Sequence, residues 1–368
     1  MSLFTNPRVE THHLMSIGKV SVSAPSNIAI VKYWGKKGKQ LPCNPSLSMT
    51  LENARSYFSL EWRGRSFEKE GIELSYLFEN EPKPAFESKL KRFLTSLMSN
   101  EWTFLRYFDL TIRSKNTFPH SAGIASSASS MAALAYCLVE MRDQIFQTSF
   151  FPSDQEKKKA ISHLARLGSG SASRSIAGPF ILWGEVSPTL GSETFGTEIK
   201  EIHSLFTDLC DTVLILDGGE KKISSTEGHR LMEQHPYASL RFERARQHTE
   251  DLLTILREGD WSRFAKICEA EALELHGLMM TSTPPYVLIR PSTLAAIEAV
   301  HEVRRLTNLR LCYTLDAGAN LHLLYPAQDK EQVLKFVEEK CKPLCQNGRY
   351  LNDHAGLGAR FEKTEELI

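Results

Sequence analysis

The chain has 368 residues, 42% of them hydrophobic and 24% charged, and its 44 basic residues are balanced by 44 acidic ones. That composition suits a globular protein of two domains or one large α/β unit. Zero net charge gives neither the basic footprint of a nucleic-acid binder nor a polybasic membrane face, and no apolar run reaches the length of a bilayer span.

The N-terminus, MSLFTNPRVETHHLMSIGKV, lacks a signal-peptide hydrophobic block and reads as a loose arm. Residues 19–24 alternate apolar and polar, as a half-buried strand does, and residues 27–34 form a second strand ended by Gly35. Asn27, Lys32 and Lys36 are unusual passengers for a buried strand. The lysines can pair with phosphate or carboxylate groups, or simply be solvated at a strand end. Residues 46–51 and 56–62 are further strands, 64–84 a charged hairpin and loop, 86–99 an amphipathic helix, and 109–113 a short strand.

Next comes Pro119-His-Ser-Ala-Gly-Ile-Ala-Ser-Ser-Ala-Ser-Ser-Met131, a run of small residues passing into a helix expected over about 126–142. Unpaired N–H groups in a first helical turn, together with the helix dipole, make a cradle for phosphate. Gly123 lets the backbone approach an anion, and Ser126, Ser127 and Ser129 add hydroxyl donors. The competing reading is a plain turn capping a buried helix, and His120 within it reads as a turn residue. The run lacks the GxxxxGK[ST] of a Walker loop.

A helix is expected at 154–167. Leu167-Gly-Ser-Gly-Ser-Ala-Ser-Arg-Ser175 then gathers serines and glycines around Arg174, as a second anion site or a flexible turn. A strand at 178–183 leads into a polar stretch at 186–198, where we set a domain boundary, giving domains 1–190 and 191–368. The second half opens with a strand at 212–216 and carries helices at 236–258, 261–278 and 291–308. His276 lies in one of these and reads as structural. A strand at 311–315 delivers Asp316-Ala-Gly-Ala-Asn320, either a turn or a carboxylate presented to a cleft. A strand at 321–325 and a helix at 329–341 close the pattern. Clustered strands early and helices late favour an α+β layered architecture over a Rossmann sheet. Seven scattered cysteines without CxxC read as reduced thiols, and Cys341 and Cys345 lack further ligands for a metal.

Six segments in order resemble the diphosphomevalonate decarboxylases, a branch of the GHMP small-molecule kinase superfamily that also holds galactokinase, homoserine kinase and mevalonate kinase. They are APSNIAIVKYWGK, NPSLSMTL, FPHSAGIASSASS, ARLGSGSASRS, KKISSTEGHR and YTLDAGAN, covering most of residues 19–325. Ile124 replaces a leucine of the family pattern, Ser173 a cysteine and Ala319 a proline. Some members have arginine and methionine where Thr226 and His229 align. The phosphate loop alone resembles only the superfamily. KYWGK together with GSGSASRS and DAGAN is much more specific.

The resemblance implies a two-domain GHMP-kinase fold: an N-terminal domain like domain 2 of ribosomal protein S5, a ferredoxin-like α/β C-terminal domain, and an active site in the cleft between them. It implies ATP-dependent decarboxylation of (R)-5-diphosphomevalonate to isopentenyl diphosphate, with Mg2+. The alternatives are a 5-phosphomevalonate decarboxylase, a mevalonate-type kinase, and, from another class, a non-catalytic nucleotide-binding regulator. By the same resemblance Asp316, Lys32, Arg174 and Asn27 are catalytic, and Gly123, Ile124, Ala125, Ser126, Ser127 and Ser129 hold the nucleotide. Tyr33, Lys36, Ser169, Gly170, Ser171, Ser225, Thr226 and His229 hold the diphosphate end of the substrate. Lys221 or Lys222 faces ATP, and no side chain is assigned to the metal. A cytoplasmic homodimer without nucleic-acid or membrane partners completes the expectation.

Overall fold

Two long strands organise the first half of the structure, a computed structural model that describes Phe4 and residues 7–10, 12–99, 101–119, 126–219 and 225–363. They are β1 (Ile17–Val31) and β2 (Ser46–Gly64), paired antiparallel from Ile17↔Arg63 to Val31↔Leu47. The sequence suggested four strands here. Pro25 lacks a donor, yet the ladder only shifts register between Pro25 and Asn27 and again between Ala29 and Val31. Each expected break is thus an irregularity inside one strand. The expected half-burial also gives way, since β1 is buried from Val20 to Val31.

The sheet extends through β3 (Glu73–Phe78) and β4 (Phe108–Asn116) on one side. On the other, β5 (Phe180–Ser187) pairs with β2 and with β6 (Leu190–Glu198). Helices α1 (Pro84–Met98), α2 (Ser126–Phe146) and α3 (Asp154–Gly168) complete the layer. Val22, Leu60, Leu134, Leu138 and Leu164 meet in its core. The polar stretch expected to separate the domains is β6, an edge strand whose Gly/Ser/Thr composition hides its ladder. The boundary at 190/191 therefore cuts a hairpin of the first sheet, and the connection to the second runs after Glu198.

The second half folds on an antiparallel sheet of β7 (Cys210–Leu214), β8 (Cys312–Leu315), β9 (Leu321–Tyr325) and β10 (Tyr350–His354), ordered β8-β9-β7-β10. Helices α4 (Ala238–Glu258), α5 (Trp261–Met280), α6 (Pro291–Thr307) and α7 (Lys330–Phe336) surround it. Gly259 ends α4 at φ +80°, and a Cβ there would lie 2.6 Å from His203 Nδ1. Asp260 then caps α5 by accepting from the Arg263 amide.

The halves share one core. Ile28, Leu47 and Phe180 of the first pack with Phe206, Leu252 and Phe264 of the second. The chain also returns. The Asp353 carboxylate accepts from the Asn53 and Ala54 amides, the Gly356 N–H donates to Thr50 O, and β11 (Arg360–Phe361) pairs with β1. All seven thiols are unpaired, as expected. Among the described residues no helix is long and apolar enough to cross a membrane.

Candidate active site

β1 ends at Val31, and the next residue, Lys32, is almost wholly buried. Its ammonium donates to Ala29 O at 2.6 Å and lies 3.1 Å from Asp316 Oδ1. Asp316 follows β8 directly. Its backbone oxygen meets His276 Nε2 at 3.1 Å, and the turn beyond it is fixed where Asn320 Oδ1 accepts from the Leu216 and Asp217 amides. A residue from each half of the chain thus meets at one point, with Asp316 still 27% exposed to the cleft. The placement of His276 agrees with its structural reading.

Arg174 ends the 3-10 turn Gly170–Arg174 and is 3% exposed. It donates through Nη1 to Ser46 Oγ at 2.5 Å and lies over the Trp183 ring, while its Nε has no partner among the described residues. Burial pulls its pKa down to about 10, with Asp316 and Tyr33 opposing, so the guanidinium stays charged at neutral pH. Asn27 does not reach the guanidinium. Its amide donates to Ser171 O at 3.2 Å and Ser175 Oγ at 2.8 Å, which fixes the turn that carries Arg174. Gly170 is required there, because a Cβ would stand 2.8 Å from Trp183 and 2.9 Å from the Tyr33 hydroxyl.

Tyr33 is buried with its hydroxyl unpartnered among the described residues, and burial pushes that phenol up. Its ring lies 4.4 Å from the imidazole of His229, which also packs 4.6 Å from Trp34. The Gly35 N–H donates to His229 Nδ1 at 2.9 Å. Burial first, then Lys36 and Arg174, lowers the His229 pKa well below its ordinary value. The ring is therefore neutral, with its proton on Nε2. Lys36 is lowered as well, by burial and by Lys89 of α1.

Ser126 and Ser127 open the long helix α2, and Ser127 Oγ comes within 3.5 Å of Ser169 Oγ, itself 3.4 Å from Ser171 Oγ. The two serine-rich segments therefore adjoin. Ser129 departs from expectation. It is fully buried, and its hydroxyl lies 2.6 Å from Ser56 Oγ of β2, a packing contact. Gly123, Ile124 and Ala125 lie outside the described residues, as do His120, Lys221 and Lys222. Ser225 and Thr226 begin the short helix Ser225–Arg230, and their side chains are also outside the description.

Beside Ser126 and Ser127 lies a cavity of about 360 Å³ that sequence reading missed, lined by Tyr76, Phe78, Phe86, Leu90 and Met131 with Glu79, Glu81, Lys83, Lys89 and Asn116 at its polar parts. Its size and apolar walls fit a nucleotide base next to a helix N-terminus. Its walls come from the strand expected at 56–62, the charged hairpin at 64–84 and the helix at 86–99, whose meeting the sequence pattern does not show. His248, Glu271 and Glu274 also come together as a metal-like cluster, but Arg241 already donates to Glu271 at 2.7 Å and lies 3.3 Å from Glu274, so a cation is in place.

Residues 24–194 match the diphosphomevalonate decarboxylase-like N-terminal domain, and residues 212–366 match the mevalonate 5-diphosphate decarboxylase C-terminal domain. Among curated relatives, the diphosphomevalonate decarboxylases of Debaryomyces hansenii and Saccharomyces cerevisiae are each 28% identical, covering 88% of this chain and 83% and 82% of theirs. Among solved structures, the mevalonate diphosphate decarboxylase of Staphylococcus aureus superposes with a TM-score of 0.80 at 25% identity, covering 96% of this chain and all (100%) of that one. A structure described as MDDEF in complex with MVAPP, AMPPCP and magnesium superposes with a TM-score of 0.78 at 27% identity, covering 95% and 100%.

Proposed function

On the premise that this chain belongs to the diphosphomevalonate decarboxylase family, we propose that it converts (R)-5-diphosphomevalonate and ATP to isopentenyl diphosphate, ADP, phosphate and carbon dioxide. The observation that carries the chemistry is the 3.1 Å contact between Lys32 and Asp316 in the cleft that also holds Arg174.

The substrate's tertiary hydroxyl is a poor leaving group and a weak acid. Asp316 accepts its proton late, as the oxygen meets the terminal phosphoryl group of ATP in a loose transition state. Lys32 ties the Asp316 carboxylate in place and balances its charge. Arg174 turns its unpartnered Nε and its planar fork to the substrate carboxylate. When the phosphorylated C3 oxygen leaves with its bonding pair, the electrons of the bond to the carboxylate form the alkene, and carbon dioxide departs.

Tyr33, Lys36, Ser169, Ser171 and the Nε2–H of His229 face the phosphate end of the substrate, with Gly170 allowing close approach. Asn27 holds the turn beneath them. The N-terminus of α2, with Ser126 and Ser127, cradles the nucleotide phosphates. The exposed Lys83 and Lys89 and the two helix serines are anion and hydroxyl donors suited to an ATP–Mg2+ complex. Mg2+, when bound, neutralises phosphate charge as it develops.

A second reading, in which the chain acts on 5-phosphomevalonate, is favoured by Thr226 aligning where some members of the family carry an arginine, a lost cation that suits a less charged tail. Following ADP and carbon dioxide together with each substrate separates the readings. Equimolar ADP and carbon dioxide with the diphosphate is expected. ADP without carbon dioxide would leave a kinase. Seven unpaired thiols support a reducing cytoplasm, and the homodimer is proposed on family resemblance alone.

A further inference from the structure

Lys32 stands one residue beyond the last β1 ladder partner, so its buried amide and carbonyl have no strand to satisfy them. The second half of the chain meets that need. The Lys32 N–H donates to Glu271 Oε2 of α5 at 2.8 Å. The Lys32 carbonyl accepts from Arg241 Nη2 of α4 at 3.4 Å, and from Asn44 Nδ2 at 3.0 Å. Glu271 is itself fully buried and pinned on every side. Arg241 donates to both its oxygens, and His248 Nδ1 lies 2.6 Å from Oε1. Burial opposes its ionisation, but Arg241, the His248 and Arg241 hydrogen bonds and the Lys32 amide outweigh it and hold the carboxyl down to about 2.

We propose that Glu271 is a positioning residue for the reaction: a carboxylate of the second domain, locked by Arg241 and His248, sets where Lys32 stands relative to Asp316. A buried ion pair serving stability alone gains little over well-packed apolar side chains and has no need to accept from the amide of a site lysine. Lys32 reaches Asp316 through its side chain and Glu271 through its backbone. Both partners sit on the second domain, so docking of the halves and alignment of the ammonium are one event.

The inference rests on the decarboxylase reading only for the assignment of Lys32 to the reaction, and its test is a double-mutant cycle on the full chain. Glu271→Gln keeps the size of the side chain and an acceptor, but removes the charge that Arg241 and His248 hold. We expect kcat to fall about tenfold, with KM for ATP and for the phosphorylated acid within about twofold. In a Lys32→Met background, where residual turnover is followed with radiolabelled ATP, the same change should cost less than about twofold. Equal losses in both backgrounds, or a loss confined to KM, would overturn the proposal. Should Glu271→Gln fail to fold, His248→Asn repeats the cycle at the half-buried partner, with about a threefold loss of kcat expected only where Lys32 is present. ADP release is the readout throughout. A wild-type chain that releases ADP without carbon dioxide thus removes the decarboxylase reading and leaves this test intact.

Discussion

Lys32 and Arg174 are cations of the same cleft, 1% and 3% exposed, yet the fold holds them in opposite ways. Around Lys32 the polar groups are committed: its ammonium to Ala29 and Asp316, its amide to Glu271, its carbonyl to Asn44 and Arg241. Among the described residues Arg174 bonds Ser46 and leaves Nε without a partner, and the Tyr33 hydroxyl nearby is equally unmatched. A buried donor without an acceptor costs about 1–3 kcal/mol. A fold tolerates that where an arriving carboxylate or phosphate completes the bonds. A group that must keep its geometry is over-determined, whereas groups that receive the ligand stay open.

The sharpest way to break this contrast is at the committed pole. Asp316→Asn should lower kcat by about a thousandfold while calorimetry finds ATP bound within about threefold of wild type. Near-normal turnover would remove Asp316 from the chemistry. Glu271→Gln leaves the buried Arg241 with only the partly exposed Glu274, 3.3 Å away, as counter-charge, so urea unfolding near neutral pH should show a loss of about 3 kcal/mol. The folded Glu271 carboxyl sits at about 2 against an ordinary 4.5, so its stabilisation is present above 4.5 and is lost as pH falls towards 2. The gap between wild type and variant should narrow over that range.

At the open pole, Arg174→Gln should lower kcat/KM about a hundredfold with the circular dichroism spectrum retained. Unfolding of that variant would make the arginine structural. Tyr33→Phe should raise KM for the phosphorylated acid about fivefold without lowering Tm, since the lost hydroxyl bonds none of the described residues. The smallest effects separate two serines of one helix. Ser127→Ala should raise KM for ATP about threefold, and Ser129→Ala should leave KM alone while reducing stability by about 1 kcal/mol.

Lys32, Asn27, Arg174 and Asp316 stood out in the sequence as polar residues at strand ends and in small-residue turns, but their grouping came from the family resemblance, since spacing alone fits solvated lysines and an ordinary turn equally well. Glu271, Arg241 and His248 did not stand out. Each looks like an ordinary charge on an amphipathic helix, and what distinguishes Glu271 is contact with a residue 239 positions away. Ser129 was misplaced because the composition of a helix start does not give its rotational phase, which turns this hydroxyl towards β2. The helices of the second half were plain from their periodicity. The strands β6, β10 and β11 were not, since short or polar edge strands carry little alternation, and the domain boundary went astray with β6.

The polypeptide passes between its two halves twice, once after β6 and again between β10 and β11, with Thr50 and Gly356 bonded beside the second passage. With the core the halves share, these two connections restrain one half against the other. A protease cut after β6 would leave the C-terminal fragment still paired to the first sheet through β11.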